Sequence, residues 1–284
     1  MKIIKQPGKM TAAIRGERVQ GRTIGFVPTL GFMHEGHEAL LLRARKENDV
    51  LVVSRFVNPL QFRAAAFKAY PRDEACDREI CRRAGADYIF SPDAGAMYPE
   101  DFDTYVEVKK LTGRLEGEKI RWHYKGVTTV VAKLFNIVCP DRAYFGKKDP
   151  HQLAILRKMA ADLNFPVTII PVATRRAADG LALSSRNSLL SPEERKAALV
   201  IPESIKAIAE RIKLRKPPRA KLAGDLRRMI QAEPSAQVDF AAVVDAKTLR
   251  EDVHGDETMI YAAVFIGGKR LTDNLVVKHG GKRK

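Results

Sequence analysis

Residues 23–37 read TIGFVPTLGFMHEGH. The first five, 23–27, have the β-branched and aromatic content of a buried strand. Proline, threonine and a glycine-bearing turn follow, and a helical period sets in at about Gly36 and lasts to Lys46. A strand feeding a helix through such a turn opens a parallel α/β sheet. The alternation continues outward: 50–56 (VLVVSRF) as a strand, 73–84 as a helix stopped at Gly85, and 87–90 as a strand. Further on, 127–138 reads as an apolar helix, 142–145 as a strand, 150–163 as a helix and 167–171 as a strand. The strand at 50–56 is a near-continuous apolar run, as expected of a strand covered on both faces. Residues 1–174 are therefore expected to form a Rossmann-type parallel sheet with helices on both faces.

The character changes after residue 175. A polar turn at Asp179–Gly180 precedes two helical stretches, 192–213 and 218–232, separated by a Lys216-Pro217-Pro218 linker. Strands are expected at 238–244 and 259–266, with a Gly267-Gly268 turn after them. Residues 175–284 thus form a smaller α+β domain.

A chain of 284 residues, 45% hydrophobic and 30% charged, has the composition of a globular protein and length enough for one large or two modest cores. It has no run of about 18 apolar residues, which excludes a spanning helix. The opening MKIIKQPGKM lacks the apolar core of a secretory signal, so a cytoplasmic location is expected. Cys76, Cys81 and Cys139 are odd in number and have no ligand spacing, so they read as reduced thiols. The net charge of +16 favours polyanionic partners without choosing among them, and the basic residues are spread along the chain with few aromatics between them. Nucleic acid is therefore a minor alternative, and the tail 278–284 reads as a solvated end.

The chemistry concentrates in 28–37. A strand-to-helix turn presents backbone N–H groups at a helix N-terminus, where phosphate is favoured. His34 and His37 are three apart and face the same way on a helical turn. Gly36 between them lets a nucleotide approach the backbone. Two imidazoles beside a helix end suit transfer at an α-phosphate, where donors meet the growing charge. A zinc site would need further ligands at matching spacing, and none is close by. The turn resembles the HxGH signature of the nucleotidylyltransferase superfamily. That superfamily carries a second phosphate segment, for which 179–187 (DGLALSSRN) is the candidate, with Ser184, Ser185 and the Arg186 guanidinium.

Between these two segments stand FVNPLQF (56–62), YPRD (70–73), MYP (97–99), PDRAYFGKKD (140–149) and HQL (151–153), followed by VDFAAVVDAKTL and GGKRLTDNL. In this order and over nearly the whole chain, they resemble the pantothenate synthetase family. The resemblance implies an AMP-forming ligase that uses ATP with Mg²⁺. Pantoate would become pantoyl adenylate, and β-alanine would then displace AMP to give pantothenate. It also implies a homodimer, with the second domain closing over the ATP site.

Carried over residue by residue, the resemblance makes His37 the proton donor, with His34 beside it on the phosphates. Leu30, Gly31, Phe32, Met33, His34, Glu35, Gly36 and His37 would line the ATP site. Gly146, Lys147, Lys148 and Asp149 would contact ATP as well, Lys148 through phosphate and Asp149 through ribose. Arg175 stands where the family touches adenine, and Leu183, Ser184, Ser185 and Arg186 complete the nucleotide site. Lys148 and Arg186 join the histidines in catalysis. Gln61 would hold pantoate and border the β-alanine pocket, Gln152 would bind pantoate from the other side, and His123 matches an active-site histidine.

The chain departs from the family's pattern at several places. Lys147 stands where an acid or amide is usual, and 63–68 (RAAAFK) replaces a Gly- and acid-containing loop. Cys76 takes an often acidic place, which leaves Asp77 as the carboxylate near an Mg²⁺ carried by ATP. Arg55 replaces an apolar strand residue and Trp122 a small one. These changes bear on rate and substrate preference before reaction class. The competing readings are a plain nucleotidyltransferase, a catalytically weakened paralogue and a nucleic-acid binder on the same fold.

Overall fold

In the computed structural model the strand expected at 23–27 runs Ile24–Thr29. Residues 1–215, 218–252 and 255–278 are described, apart from the side chains of residues 185 and 215. Positions 216–217 of the expected linker and 279–284 of the basic tail lie outside the described residues. Two compact units emerge: Met1–Gly113, Gly117–Lys147 and Ile155–Ala173 form the first, and Arg114–Glu116, Lys148–Ala154 and Thr174–Lys284 form the second.

The first unit holds six strands: β1 (Lys2–Ile4), β2 (Ile24–Thr29), β3 (Val50–Arg55), β4 (Tyr88–Phe90), β5 (Arg142–Gly146) and β6 (Thr168–Val172). All pair in parallel, in the order β1-β4-β3-β2-β5-β6. Sequence order therefore runs one way from β2 and the other way from β5. The interior strand β3 is buried at every position but its last, which accounts for its continuous apolar run. Leu41 and Ala44 of the helix Glu35–Glu47, and Ile80 and Cys81 of the helix Glu74–Arg83, pack with Val27, Leu51, Val53 and Ile89 in one core. Each large aliphatic side chain buried this way contributes about 1.5–3 kcal/mol.

Three features go beyond the periodicity. The edge strand β1 has only three residues, too few for a pattern. The helix Pro7–Val19 buries only Met10 and Ile14, so its apolar stripe is thin. The helix expected at 127–138 begins earlier, at Arg121; residues 121–123 are not buried, so the apolar pattern does not mark them as helical.

The second unit contains an antiparallel meander, β7 (Ala236–Asp245), β8 (Glu257–Ile266) and β9 (Lys269–Lys278). The last strand escapes the sequence pattern, since its polar residues break the alternation. Ile201, Ile205, Ile208 and Ile212 form a stripe on the helix Val200–Arg215, and Leu222, Leu226 and Ile230 form another on Arg219–Gln231. Both stripes join the core that includes Val243, Ile260, Val264 and Leu271. The single helix expected over 192–213 is two, Pro192–Ala198 and Val200–Arg215. Pro202 explains the break, since its ring is tolerated only in a first helical turn. No described helix is long and apolar enough to cross a membrane.

Candidate active site

A reversal of strand order opens a crevice at the carboxyl ends of the strands, which is where ligands bind in open α/β sheets. The reversal here lies between β2 and β5. These strands pair only at Gly25–Arg142 and Phe26–Ala143, although β2 runs on to Thr29 and β5 to Gly146. Leu30–His37 leaves the end of β2, and Gly146 and Lys147 leave the end of β5.

The turn after β2 is held by side chains acting on its backbone. Thr29 Oγ1 donates to the Ser54 carbonyl at 2.8 Å and accepts from Gly31 N at 3.2 Å. Gly31 and Phe32 both take left-handed backbone, φ 87° and 51°. At Phe32 this costs about 1–2 kcal/mol. Asp77 offsets it: Oδ2 accepts from Phe32 N at 3.1 Å and Oδ1 from Met33 N at 2.7 Å. Asp77 is 2% exposed, so its carboxylate is a buried clamp on the turn. Its distance along the chain, with no local motif, concealed the role.

The two histidines are adjacent, but not by helical spacing. His34 has extended backbone (φ −139°, ψ 177°) and caps the helix Glu35–Glu47. Its Nδ1 accepts from Gly36 N at 3.0 Å, while His37 Nδ1 accepts from His34 N at 3.2 Å. The ring centroids lie 4.3 Å apart. An amide N–H can only donate, so both Nδ1 atoms are acceptors and each neutral ring carries its proton on Nε2. Both rings thus carry Nε2–H beside a helix N-terminus. A Cβ on Gly36 would lie 2.7 Å from His34 Cε1. The first need for glycine here is to seat the capping ring.

A second cluster surrounds Gln61, at the end of the 3-10 turn Pro59–Gln61. Asn58, fully buried, donates from Nδ2 to Gln61 Oε1 and to the Gly126 carbonyl, both at 3.0 Å. His123 Nδ1 lies 2.8 Å from the Gln61 carbonyl. The carbonyl accepts, so His123 is locked in its Nδ1–H form. Gly126 lets the turn lie against the helix Arg121–Val138, since a Cβ there would sit 2.3 Å from the Leu60 carbonyl oxygen. Asn58 and Tyr98, neither expected as site residues, prove to belong to this cluster. Trp122 is 40% exposed and touches His123 edge-on.

Of the remaining departures, Arg55 is accommodated by Ser91 Oγ at 2.9 Å and Glu74 at 3.0 Å. The hydrogen bond from Arg55 holds the Glu74 carboxyl below its ordinary value. Both groups, with Phe32, Asp73 and Asp77, line a cavity of about 190 Å³ in the first unit. Residues Ala64–Ala69 of the altered loop form a short helix.

In the second unit the chain 175–190 makes a turn of its own. Ala177 N donates to the Leu181 carbonyl and Leu183 N to the Arg175 carbonyl, both at 2.9 Å, and Arg176 bridges Ala182. Arg176 also grips the buried Asp273 with two bonds of 2.7 and 2.9 Å. Ser184 Oγ caps the 3-10 turn Ser185–Leu189 by accepting from Arg186 N at 3.3 Å. The Ser185 side chain, expected on the phosphates, lies outside the described residues. Arg175 and Arg186 are exposed.

Lys148 Nζ donates to the Leu183 carbonyl at 2.7 Å, and the Lys148 carbonyl accepts from Asn274 Nδ2 at 2.9 Å. Burial pushes the Lys148 ammonium below its ordinary value, with Arg186 adding to the effect and Asp149 and Asp273 opposing it. Lys148 and Arg186 thus sense one another's charge, as cations gathered for an anion do. Asp149 is exposed and Gln152 half-buried, both beside Lys148 in sequence. Among the described residues no group of three or more His, Cys, Asp or Glu is arranged to hold a metal.

A doubly wound sheet with two Nε2–H imidazoles at a helix N-terminus beside its switch point defines a nucleotide-dependent transferase or ligase of the HxGH type. The pantoate-beta-alanine ligase profile matches residues 2–276. Pantothenate synthetase of Heliobacterium modesticaldum is 48% identical over 98% of this chain and 100% of its own. The Agrobacterium fabrum enzyme of that name is 46% identical, over 98% and 96%. The crystal structure of pantothenate synthetase from Thermus thermophilus superposes with a TM-score of 0.87 at 42% identity, over 97% of this chain and 99% of that one. A pantoate-beta-alanine ligase from Francisella tularensis, complexed with beta-gamma ATP and beta-alanine, gives 0.76 at 30% identity, over 97% of each chain. The chain belongs to the pantoate-beta-alanine ligase family, and its activity is the ATP-dependent condensation of pantoate with β-alanine to pantothenate.

Proposed function

We propose that the condensation runs through pantoyl adenylate, with His34 and His37 as the phosphate-facing donors. The pantoate carboxylate attacks the α-phosphorus of ATP, the bond to the β-bridging oxygen breaks, and pyrophosphate leaves with that electron pair. The β-alanine amine then attacks the acyl carbon and loses a proton, and AMP departs with the mixed-anhydride oxygen. The supporting observation is the double histidine cap. It fixes both Nε2–H groups before any ligand arrives, so they meet developing charge without reorganising. Lys148 and Arg186 are assigned to phosphate, Asp149 to ribose, Arg175 and Leu183 to the rest of the nucleotide, Gln61 to pantoate and β-alanine, and Gln152 to pantoate.

Mg²⁺ in this reading enters as part of the substrate, bound to the phosphates. Asp77, which lines the cavity beside the turn, is the carboxylate proposed to lie near it; among the described residues no group of three or more His, Cys, Asp or Glu is arranged to hold a metal, and no step is assigned to the ion. A homodimer and a cytoplasmic location complete the proposal.

Purified protein given ATP, Mg²⁺, pantoate and β-alanine should release one AMP per pantothenate. Pantoate alone should support exchange between pyrophosphate and ATP. His37→Ala should lower turnover by about a hundredfold or more. ADP in place of AMP, or AMP production indifferent to β-alanine, would refute the adenylate route.

A further inference from the structure

The MYP segment at 97–99 has no part in the mechanism above, yet Tyr98 ends a chain of hydrogen bonds that reaches Gln61. Tyr98 Oη donates to Asn58 Oδ1 at 2.8 Å, and Leu60 N donates to the same oxygen at 3.2 Å. With Oδ1 receiving two donors, Asn58 Nδ2 must face the two acceptors, the Gly126 carbonyl and Gln61. The Gln61 atom turned toward Asn58 is therefore its carbonyl oxygen, and Nε2 is left to meet a ligand. Toward a substrate the Gln61 amide thus turns its two N–H donors. Donors suit the oxygens of a carboxylate, and both acids the enzyme joins carry one.

We propose that Tyr98 is a positioning residue of the ligase. Acting through Asn58, its hydroxyl holds the Gln61 amide with Nε2 toward the carboxylate-bearing substrates. The inference rests on the assignment of Gln61 to those substrates. Tyr98 suits the task because its ring is held independently of its hydroxyl: Phe56 lies 6.1 Å away, Phe102 meets it edge-on at 5.0 Å, and Lys133 Nζ stands 5.7 Å over it. Burial also raises its phenol above the ordinary value, so the hydroxyl keeps its proton throughout the working range of the enzyme.

The test is a double-mutant cycle read on each substrate separately. Tyr98→Phe keeps every ring contact and should raise KM for pantoate and for β-alanine by about threefold to tenfold, the equivalent of one neutral hydrogen bond. KM for ATP should stay within about twofold. In the Gln61→Ala background the same substitution should change the acid constants by less than about twofold, because the group it positions is gone. Asn58→Asp, which cannot donate to Gln61 Oε1, should raise the same two constants, and this variant gives a second reading if Tyr98→Phe folds poorly. Equal effects of Tyr98→Phe with and without Gln61, or a matching rise in KM for ATP, would overturn the proposal. If Gln61→Ala alone left both acid constants unchanged, the assignment of Gln61 would fail first and the relay with it.

Discussion

The two turns proposed to serve the nucleotide differ in where their charged and polar groups end. In the turn 29–37 polar side chains are spent on backbone: Asp77 accepts from two amides, Thr29 from one, and the two histidines from two more. In the proposed site this turn would offer a ligand fixed dipoles and tautomer-locked rings. In the turn 175–190 side chains also bond backbone, Asp179 accepting from Leu181 N at 3.1 Å and Lys148 donating to the Leu183 carbonyl at 2.7 Å, but the Arg186 guanidinium stands exposed outside the turn. Arg186 is exposed, its guanidinium reaching the Arg270 carbonyl at only 3.4 Å. Fixed dipoles need no reorganisation as charge develops, whereas a mobile guanidinium loses side-chain entropy each time it engages. The first turn should therefore govern turnover, and the second should govern affinity for ATP.

The most severe way to break this contrast is to remove the clamp. Asp77→Ala strands two backbone N–H groups beneath a Phe32 that depends on them for its left-handed conformation. The expected cost is about 2–4 kcal/mol of stability. A loss of kcat of about a hundredfold should accompany it as the histidine pair loses its seat. Thermal unfolding and steady-state turnover read the two effects separately. Unchanged kcat in a folded Asp77→Ala protein would show that the rings hold their geometry without the clamp.

The second turn should respond more gently and differently. Arg186→Ala is expected to raise KM for ATP by about tenfold, as for one charge-assisted contact, with a smaller change in kcat. Its effect should shrink as salt is added, because the group is exposed. Lys148 adds a pH signature. Its value is lowered, so the ammonium is present at low pH and is lost as pH rises through that lowered value, earlier than for an ordinary lysine. The alkaline fall in kcat/KM for ATP should begin correspondingly early. Lys148→Arg, which stays charged, should push that limb to higher pH; an unmoved limb would assign it to another group.

The same contrast explains what is legible in the sequence. The strands of the parallel sheet and the HxGH turn are readable because hydrophobic period and local spacing write them into consecutive residues. The capping of Gly36 by His34 is half readable: the pair is visible, but helical spacing suggests the wrong reason for its proximity. Asp77, Asn58 and Tyr98 are not readable, because each bonds a partner at least 40 positions away and resembles an ordinary polar residue where it stands. Gly126 likewise carries no local sign that its bare Cα is what admits the Leu60 carbonyl. Tertiary packing fixes such contacts, and no local pattern encodes them.

The smallest expected effect is also the most direct report on the clamp. Cys81 lies four residues beyond Asp77 on the same helix and is fully buried. Burial, with the charge of Asp77 behind it, pushes its thiol up to about 12. The thiolate is the reactive form, so Cys81 should resist alkylation at neutral pH while the exposed Cys76 and Cys139 react. Labelling with iodoacetamide should give two modified thiols in the native protein. A third should appear on the timescale of local opening, and sooner in Asp77→Ala. Two changes accelerate it there: losing the negative charge lowers the thiol's value, and loosened packing admits the reagent. Rapid modification of Cys81 in the unaltered protein would mean that the helix carrying Asp77 opens readily, and that the first turn is not the fixed structure argued here.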